Sequence, residues 1–254
     1  MNKTTGNEKF NYYSTHLWGL SVGASDRVRK VIKLSKTIKS SKMLDIGCSG
    51  GILSLVIKNI VGADQVYGME ISIAGVNDAL SKGIKAVQLD IDNNSLPFED
   101  GFFDFVYCGD VIEHVFNPSH LLKEANRVTK KGGYLILTTP NLASWYNRII
   151  LLFGYQPFET AASLSFPRAG KINLGTHSNI NRMADLGGEH IRVMTLLALK
   201  DLLNLHGYQT ISVLGAHGTD ESKKILMKTI QFIDQFACRF PAFATWFVIK
   251  AVKQ

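Results

Sequence analysis

The chain has 254 residues, 46% hydrophobic and 19% charged, with a formal net charge of +7. That size and balance fit one large α/β domain with elaborations. Its three cysteines, Cys48, Cys108 and Cys238, contain no C-x-x-C pair, which argues against a disulfide scaffold or structural zinc and predicts a reducing, cytoplasmic setting with no metal site. The start, Met1-Asn2-Lys3-Thr4-Thr5, lacks the apolar region of a signal peptide, and no run of about 18 apolar residues predicts a transmembrane helix.

Residues 1–24 cluster Phe10, Tyr12, Tyr13, His16, Leu17 and Trp18. With the basic stretch to residue 40 they read as a cap laid over the main domain, although simple packing explains the aromatics equally well. The cations Arg27, Arg29, Lys30, Lys33, Lys36, Lys39 and Lys42 face only Asp26 in that stretch. A solvated helix face accounts for them; without a nucleic-acid motif or aromatic interleaving, no nucleic-acid partner is expected. Ser25 is the natural cap of a helix over 25–40, striped by Val28, Val31, Ile32, Leu34 and Ile38.

A strand over 42–47 runs into Gly47-Cys-Ser-Gly-Gly51 and a helix to about residue 60. Strand, glycine turn and helix in that order set backbone N–H groups against something bound. The acid inside the strand, Asp45, sets this apart from an ordinary β-to-α turn. A second strand, 65–70, ends in Glu70, and Ser72 caps the next helix. A third, 86–89, ends in Asp90-Ile91-Asp92; the turn Leu96-Pro97-Phe98-Glu-Asp-Gly101 follows. The fourth, 103–108, ends at Gly109-Asp110, before a short helix bearing Glu113 and His114. Pro118 opens a helix to about Val128, stopped by Lys130-Lys-Gly-Gly133, and a fifth strand covers 134–139.

Alternating strands and helices over 42–140 imply a parallel sheet covered on both faces, with ligands held beyond the carboxyl ends of its strands. The glycine loop, Glu70, Asp90, Asp110 and Asn141 all sit at such ends. Beyond them, 142–155 is almost wholly apolar and 156–192 irregular, with His177 and His190. Residues 142–192 therefore read as a lid or substrate-binding insertion. A Thr195-capped helix (196–206), a strand (208–214), a helix (221–238) and a strand (245–252) complete one domain spanning 1–254.

The loop lacks the G-x-G-x-x-G spacing of a dinucleotide fold, since Ser49 and Ile52 stand where later glycines belong. This disfavours a nicotinamide oxidoreductase. An adenosyl ligand without phosphates fits better: Asp45 for a cationic amino-acid portion, Glu70 for two ribose hydroxyls, and Asp90 with Ile91 for an adenine amino group and ring face.

Asp45-Ile-Gly-Cys-Ser-Gly-Gly51, Glu70, Asp90, the Leu96–Gly101 turn with Phe103-Asp104, and Lys131-Gly-Gly133 occur in the order found in class I S-adenosylmethionine-dependent methyltransferases of the type 11/23 kind, which the chain resembles over about residues 40–141. The resemblance implies a Rossmann-like, doubly wound, seven-stranded sheet, mostly parallel with the last strand antiparallel and helices on both faces. It implies S-adenosyl-L-methionine as cofactor, bound along Asp45, Gly47, Cys48, Ser49, Gly50, Glu70, Ile71, Asp90, Ile91 and Asp110. Ser49 stands where the family more often has glycine, which is tolerable if its φ is negative. Asp92 duplicates the acid after the third strand; Asp90, nearer the strand end, is favoured. Leu44–Ser54, Asp110-Val-Ile-Glu-His-Val115 and Gly175-Thr-His177 are similar to quinone-biosynthesis O-methyltransferases, whereas Gly188-Glu-His-Ile-Arg192 resembles a broad bacterial and archaeal branch.

Methyl transfer from a sulfonium leans on positioning, so a conspicuous nucleophile is not required. For a hydroxyl acceptor a general base helps, and His114 is the candidate, with His177 and His190 left open; an ordinary helix histidine satisfied by its neighbours explains His114 as well. Cys48 reads as a small packing residue in the loop. The expected function is methyl transfer to a small-molecule or lipid-like acceptor, at oxygen; the alternative is a module that binds the donor or its product without transfer. The apolar stretch 142–155 is either a lid helix or a peripheral membrane contact.

Overall fold

The computed structural model describes residues 25–162, 169–172, 190–218 and 225–254. The aromatic leader, His177 with its Gly175-Thr176 neighbours, and Gly188-Glu189 lie outside the described residues.

Helix α1 (Asp26–Ser35) starts where the Ser25 hydroxyl accepts the Val28 N–H at 3.3 Å. It is an integral part of the core, with Val28, Val31 and Leu34 buried. There follow β1 (Lys42–Ile46), α2 (Ile52–Val61), β2 (Gln65–Glu70), α3 (Ile73–Ser81), β3 (Lys85–Gln88) and β4 (Phe103–Gly109). Then come α4 (Pro118–Val128), β5 (Thr129–Pro140), α5 (Trp145–Leu152), α6 (Leu196–Leu205), β6 (Tyr208–Ala216), α7 (Ile225–Ala237) and β7 (Trp246–Lys253). Side-chain oxygens of Ser72, Asn117 and Thr195 cap α3, α4 and α6, taking N–H groups that a helix start would leave unpaired.

The seven strands run in the order β3-β2-β1-β4-β5-β7-β6. β1 to β5 pair in parallel, and β7 lies antiparallel between β5 and β6. Because side chains alternate along each strand, Leu44, Ile46, Val106 and Cys108 face one core with α4 and α6. Met43, Phe105 and Tyr107 face the other with α1, α2 and α3. No helix among the described residues is long and apolar enough to cross a membrane.

Two local expectations are corrected. β5 starts at Thr129, not 134: Lys130–Gly133 bulges out between the pairs Phe103↔Thr129 and Phe105↔Tyr134, with Gly132 at φ +74°. Glu113 and His114 occupy a turn, not a helix. The Glu113 carbonyl oxygen accepts N–H groups from Ile191 (2.7 Å) and Arg192 (2.9 Å), a use of that acceptor that replaces helical bonding.

Candidate functional site

The glycine loop is stitched inward. The N–H groups of Gly47 and Cys48 donate to the Met69 carbonyl (2.7 and 3.1 Å), that of Ser49 to Glu70 Oε2 (2.8 Å), and that of Gly51 to Cys48 (2.9 Å). The expectation that these N–H groups face a bound ligand is therefore corrected: the loop uses them to hold its own shape. Such a loop offers little to a pyrophosphate, in keeping with its broken glycine spacing. Gly47 is at φ +79°, and a Cβ there would lie 2.3 Å from Val111 Cγ2. Ser49 is also left-handed, at φ +48°, so its tolerance does not come from a negative φ. A short side chain and the bond from its N–H to Glu70 hold it in that conformation. Gly50 is buried in the loop, and Cys48 is buried against Gly68, with burial pushing its thiol far above the usual range; it packs.

Asp45 sits on the α2 side of β1, at the odd strand positions with Met43. Its Oδ2 accepts the Ser54 hydroxyl of α2 at 2.5 Å, while Oδ1 is buried with no partner among the described residues. Burial raises its pKa to about 7, moderated by the Ser54 bond and reinforced by Glu70. Glu70 closes β2 with both oxygens engaged, Oε2 with Ser49 and Oε1 with the Ser72 N–H (2.8 Å). Each oxygen keeps a second lone pair for a hydroxyl. Ile71 is half-buried beyond it, its carbonyl taken by Gln88.

Asp90 folds its own turn, Oδ1 accepting the Asp92 N–H (3.0 Å) and Oδ2 the Asn93 amide (2.8 Å). Asp92 acts elsewhere: its Oδ1 accepts the N–H groups of Phe116 and Asn117, strapping this loop to the start of α4. Ile91 is buried in the core with Leu44 and Ile46. Asp110, at φ +55°, accepts the Thr138 hydroxyl (2.7 Å) and pairs with Arg27 (2.7 Å), whose guanidinium lies 4.3 Å over the Trp246 ring. Part of the basic stretch thus turns inward, while Lys33, Lys36 and Lys39 stay exposed.

Beside Asp110 the structure gathers Glu113, His114 and His190. The two imidazoles meet edge to face at 4.7 Å, and His190 Nδ1 lies 2.9 Å from the Glu159 carbonyl oxygen. Burial lowers the His190 pKa, leaving a neutral imidazole. Glu113 is fully buried, with the Thr139 hydroxyl on Oε2 (3.0 Å); burial, then the charge of Asp110, holds its pKa well above the carboxylate range. Glu113 as a site residue was missed in sequence, its only signal being adjacency to His114. Arg27 and Ser54 gave none, since only the folded sheet brings them to Asp110 and Asp45.

Residues 24–213 match the methyltransferase-domain family, three quarters of the chain. The chain belongs to that family. It carries a methyltransferase domain, of the kind that takes S-adenosylmethionine as methyl donor. Similar curated proteins include an uncharacterised methyltransferase of Schizosaccharomyces pombe (31% identical, covering 51% of this chain and 49% of that protein). A ubiquinone biosynthesis O-methyltransferase of Bordetella avium is 27% identical, covering 45% and 49%. The chain spans about half the length of these relatives. Among solved structures, a methyltransferase of Thermotoga maritima aligns with a TM-score of 0.59 at 19% identity, covering 90% of this chain and 88% of that one. One from Mesorhizobium loti gives 0.58 at 15%, covering 91% and 99%. At these identities they show the fold.

The residues fit the donor. The orphaned Asp45 Oδ1 suits a cationic amine in a place where an unpaired buried acceptor is otherwise costly, and Glu70 retains acceptor capacity for paired hydroxyls. When bound, the donor supplies an electrophilic methyl group on a sulfonium. The chain itself would bind and orient through Asp45, Glu70 and the turn at Asp90.

Proposed function

We propose that this methyltransferase acts on a hydroxyl oxygen of a small, lipid-like acceptor. The observation that carries the reading is the His114–His190 pair packed at the end of β4, where a neutral imidazole can hold or take a hydroxyl proton. The relatives named as ubiquinone biosynthesis O-methyltransferases support oxygen as the target. Exposed apolar side chains support the lipid-like class: Leu152 is 82% and Phe153 71% exposed, with Phe236, Phe240 and Phe243 nearby in sequence to the surface that α5 contacts. Trp145 of α5 donates to Asp234 of α7 (3.0 Å) and Arg148 stacks on Phe243, joining these apolar surfaces. Peripheral membrane contact through 142–155 follows as part of the proposal.

The test is release of S-adenosylhomocysteine with panels of phenolic, lipid and sugar acceptors. Hydroxyl-bearing apolar acceptors are expected to turn over, and turnover of amine acceptors alone would sink the oxygen assignment. Calorimetric binding of S-adenosylhomocysteine with no acceptor turned over would favour a binding module instead. Glu70→Ala is expected to weaken that binding by about 30-fold, equivalent to two lost hydroxyl bonds at about 1 kcal/mol each. Unchanged affinity would mean that Glu70 serves only Ser49 and Ser72.

A further inference from the structure

We propose that Glu113, His114 and His190 form a binding site for a divalent transition-metal cation, whose open coordination positions take the acceptor's oxygen. One ligand atom from each of the three side chains lies within 4.8 Å of the others. Ligands about 2.0–2.2 Å from a zinc-like ion in tetrahedral array stand about 3.3–3.5 Å apart, so small side-chain rotations close the set. The two rings already pack edge to face.

Three further features point the same way. A carbonyl oxygen only accepts, so the contact with Glu159 at 2.9 Å assigns the proton of His190 to Nδ1 and leaves the lone pair on Nε2. Metal-ligating histidines are oriented in this manner, one ring nitrogen donating to a carbonyl or carboxylate and the other facing the ion. Second, Glu113 Oε1 is buried and has no partner among the described residues, although Oε2 is satisfied by Thr139. An unpartnered buried carboxyl oxygen is costly, and the nearby Arg27 guanidinium is bonded to Asp110 instead. Third, the Glu113 carbonyl holds the N–H groups of Ile191 and Arg192, so the His190 segment is fastened to the turn carrying the other two ligands. Asp110 is not part of the set, because Thr138 and Arg27 occupy its oxygens.

Two imidazoles and one carboxylate suit Zn²⁺, Fe²⁺ or Co²⁺, and three protein ligands leave room for an exogenous oxygen. A cation there draws charge from an acceptor hydroxyl, whose proton leaves to solvent. The oxygen lone pair then forms the C–O bond as the donor's C–S bond breaks and its electron pair stays on sulfur. This last role rests on the oxygen-acceptor reading above, with the bound cation in place of a free imidazole as the group that activates the hydroxyl; the site itself does not rest on it.

The test uses the full chain, stripped with chelator and titrated with Zn²⁺ or Co²⁺ alone. The expected result is one equivalent bound per chain and a visible Co²⁺ spectrum, with affinity falling on the order of 100-fold in His190→Ala and in His114→Ala. S-adenosylhomocysteine affinity, measured on the same samples, confirms that each variant is folded; should His190→Ala fail that check, His190→Gln replaces it. No stoichiometric uptake by the wild type, or equal uptake by wild type and folded variants, overturns the site. Uptake with no hydroxyl acceptor methylated leaves the site standing and removes the oxygen reading. Hydroxyl methylation that persists after chelation removes the cation's role in the reaction.

Discussion

Asp45 is a carboxylate whose burial works against its own charge. Its ordinary pKa of 3.8 rises to about 7 in the fold, so between those values the folded chain keeps a proton that the unfolded chain releases. Stability of the ligand-free protein should therefore fall as pH rises from about 4 to about 7, with the full penalty above. Asp45→Asn should remove that component, read as the difference in melting temperature between the two proteins across the window. A bound ammonium group favours the ionised form, so S-adenosylhomocysteine affinity should increase over the same interval in the wild type and stay flat in the variant. Parallel pH profiles for the two proteins would show that Oδ1 does not meet the amine. Asp45 was legible in sequence because an acid inside an apolar strand demands a reason. Its partner Ser54 was not, as nothing in an apolar-striped helix singles out the serine turned to the strand. The sign of the Ser49 φ was not legible either, for a different cause: that backbone conformation goes with the bond from its N–H to Glu70, a contact between the loop after β1 and the end of β2.

At the scale of elements, the joints are made by single polar side chains. Asp234 of α7, buried at 1% exposure, accepts from Trp145 of α5 (3.0 Å), Thr245 beside β7 (2.7 Å) and the Gly218 N–H after β6 (3.0 Å). Asp234→Ala leaves three donors without that acceptor and should cost about 3 kcal/mol or more in denaturant unfolding. A loss below about 1 kcal/mol would show that α7 is held by its apolar face alone. Arg127 does similar work on α4, donating to the carbonyls of Leu96 and Phe98 and to Glu124 and Asp100. The Leu-Pro-Phe turn that supported the family resemblance is thus a clasp shaped from α4. The turn was readable from Pro97 and Gly101, but the clasp was not, since an i,i+3 Glu–Arg pair on a helix reads as surface decoration.

For the whole molecule, the alternation of strands and helices made the parallel half of the sheet legible before any coordinates. The insertion of β7 between β5 and β6 depends on pairings between distant segments, which no local pattern encodes. The same holds for the meeting of His190 with His114. One property belongs to the molecule entire: it combines a site of buried carboxylates and imidazoles with exposed apolar side chains on α5 and α7, among them Leu152, Phe153 and Phe236. If that apolar surface meets a bilayer, flotation with anionic vesicles should carry the wild type upward and leave Leu152→Glu/Phe153→Glu behind. Equal, absent flotation for both would confine α5 to the role of a lid.

The inward-stitched glycine loop has a kinetic consequence. Since Ser49, Glu70 and Met69 complete its bonding beforehand, capture of the donor needs no folding of the loop and no slow isomerisation. The observed association rate should then climb in proportion to donor concentration without reaching a plateau. Discrimination between the donor and its spent thioether would reside in how long each one stays.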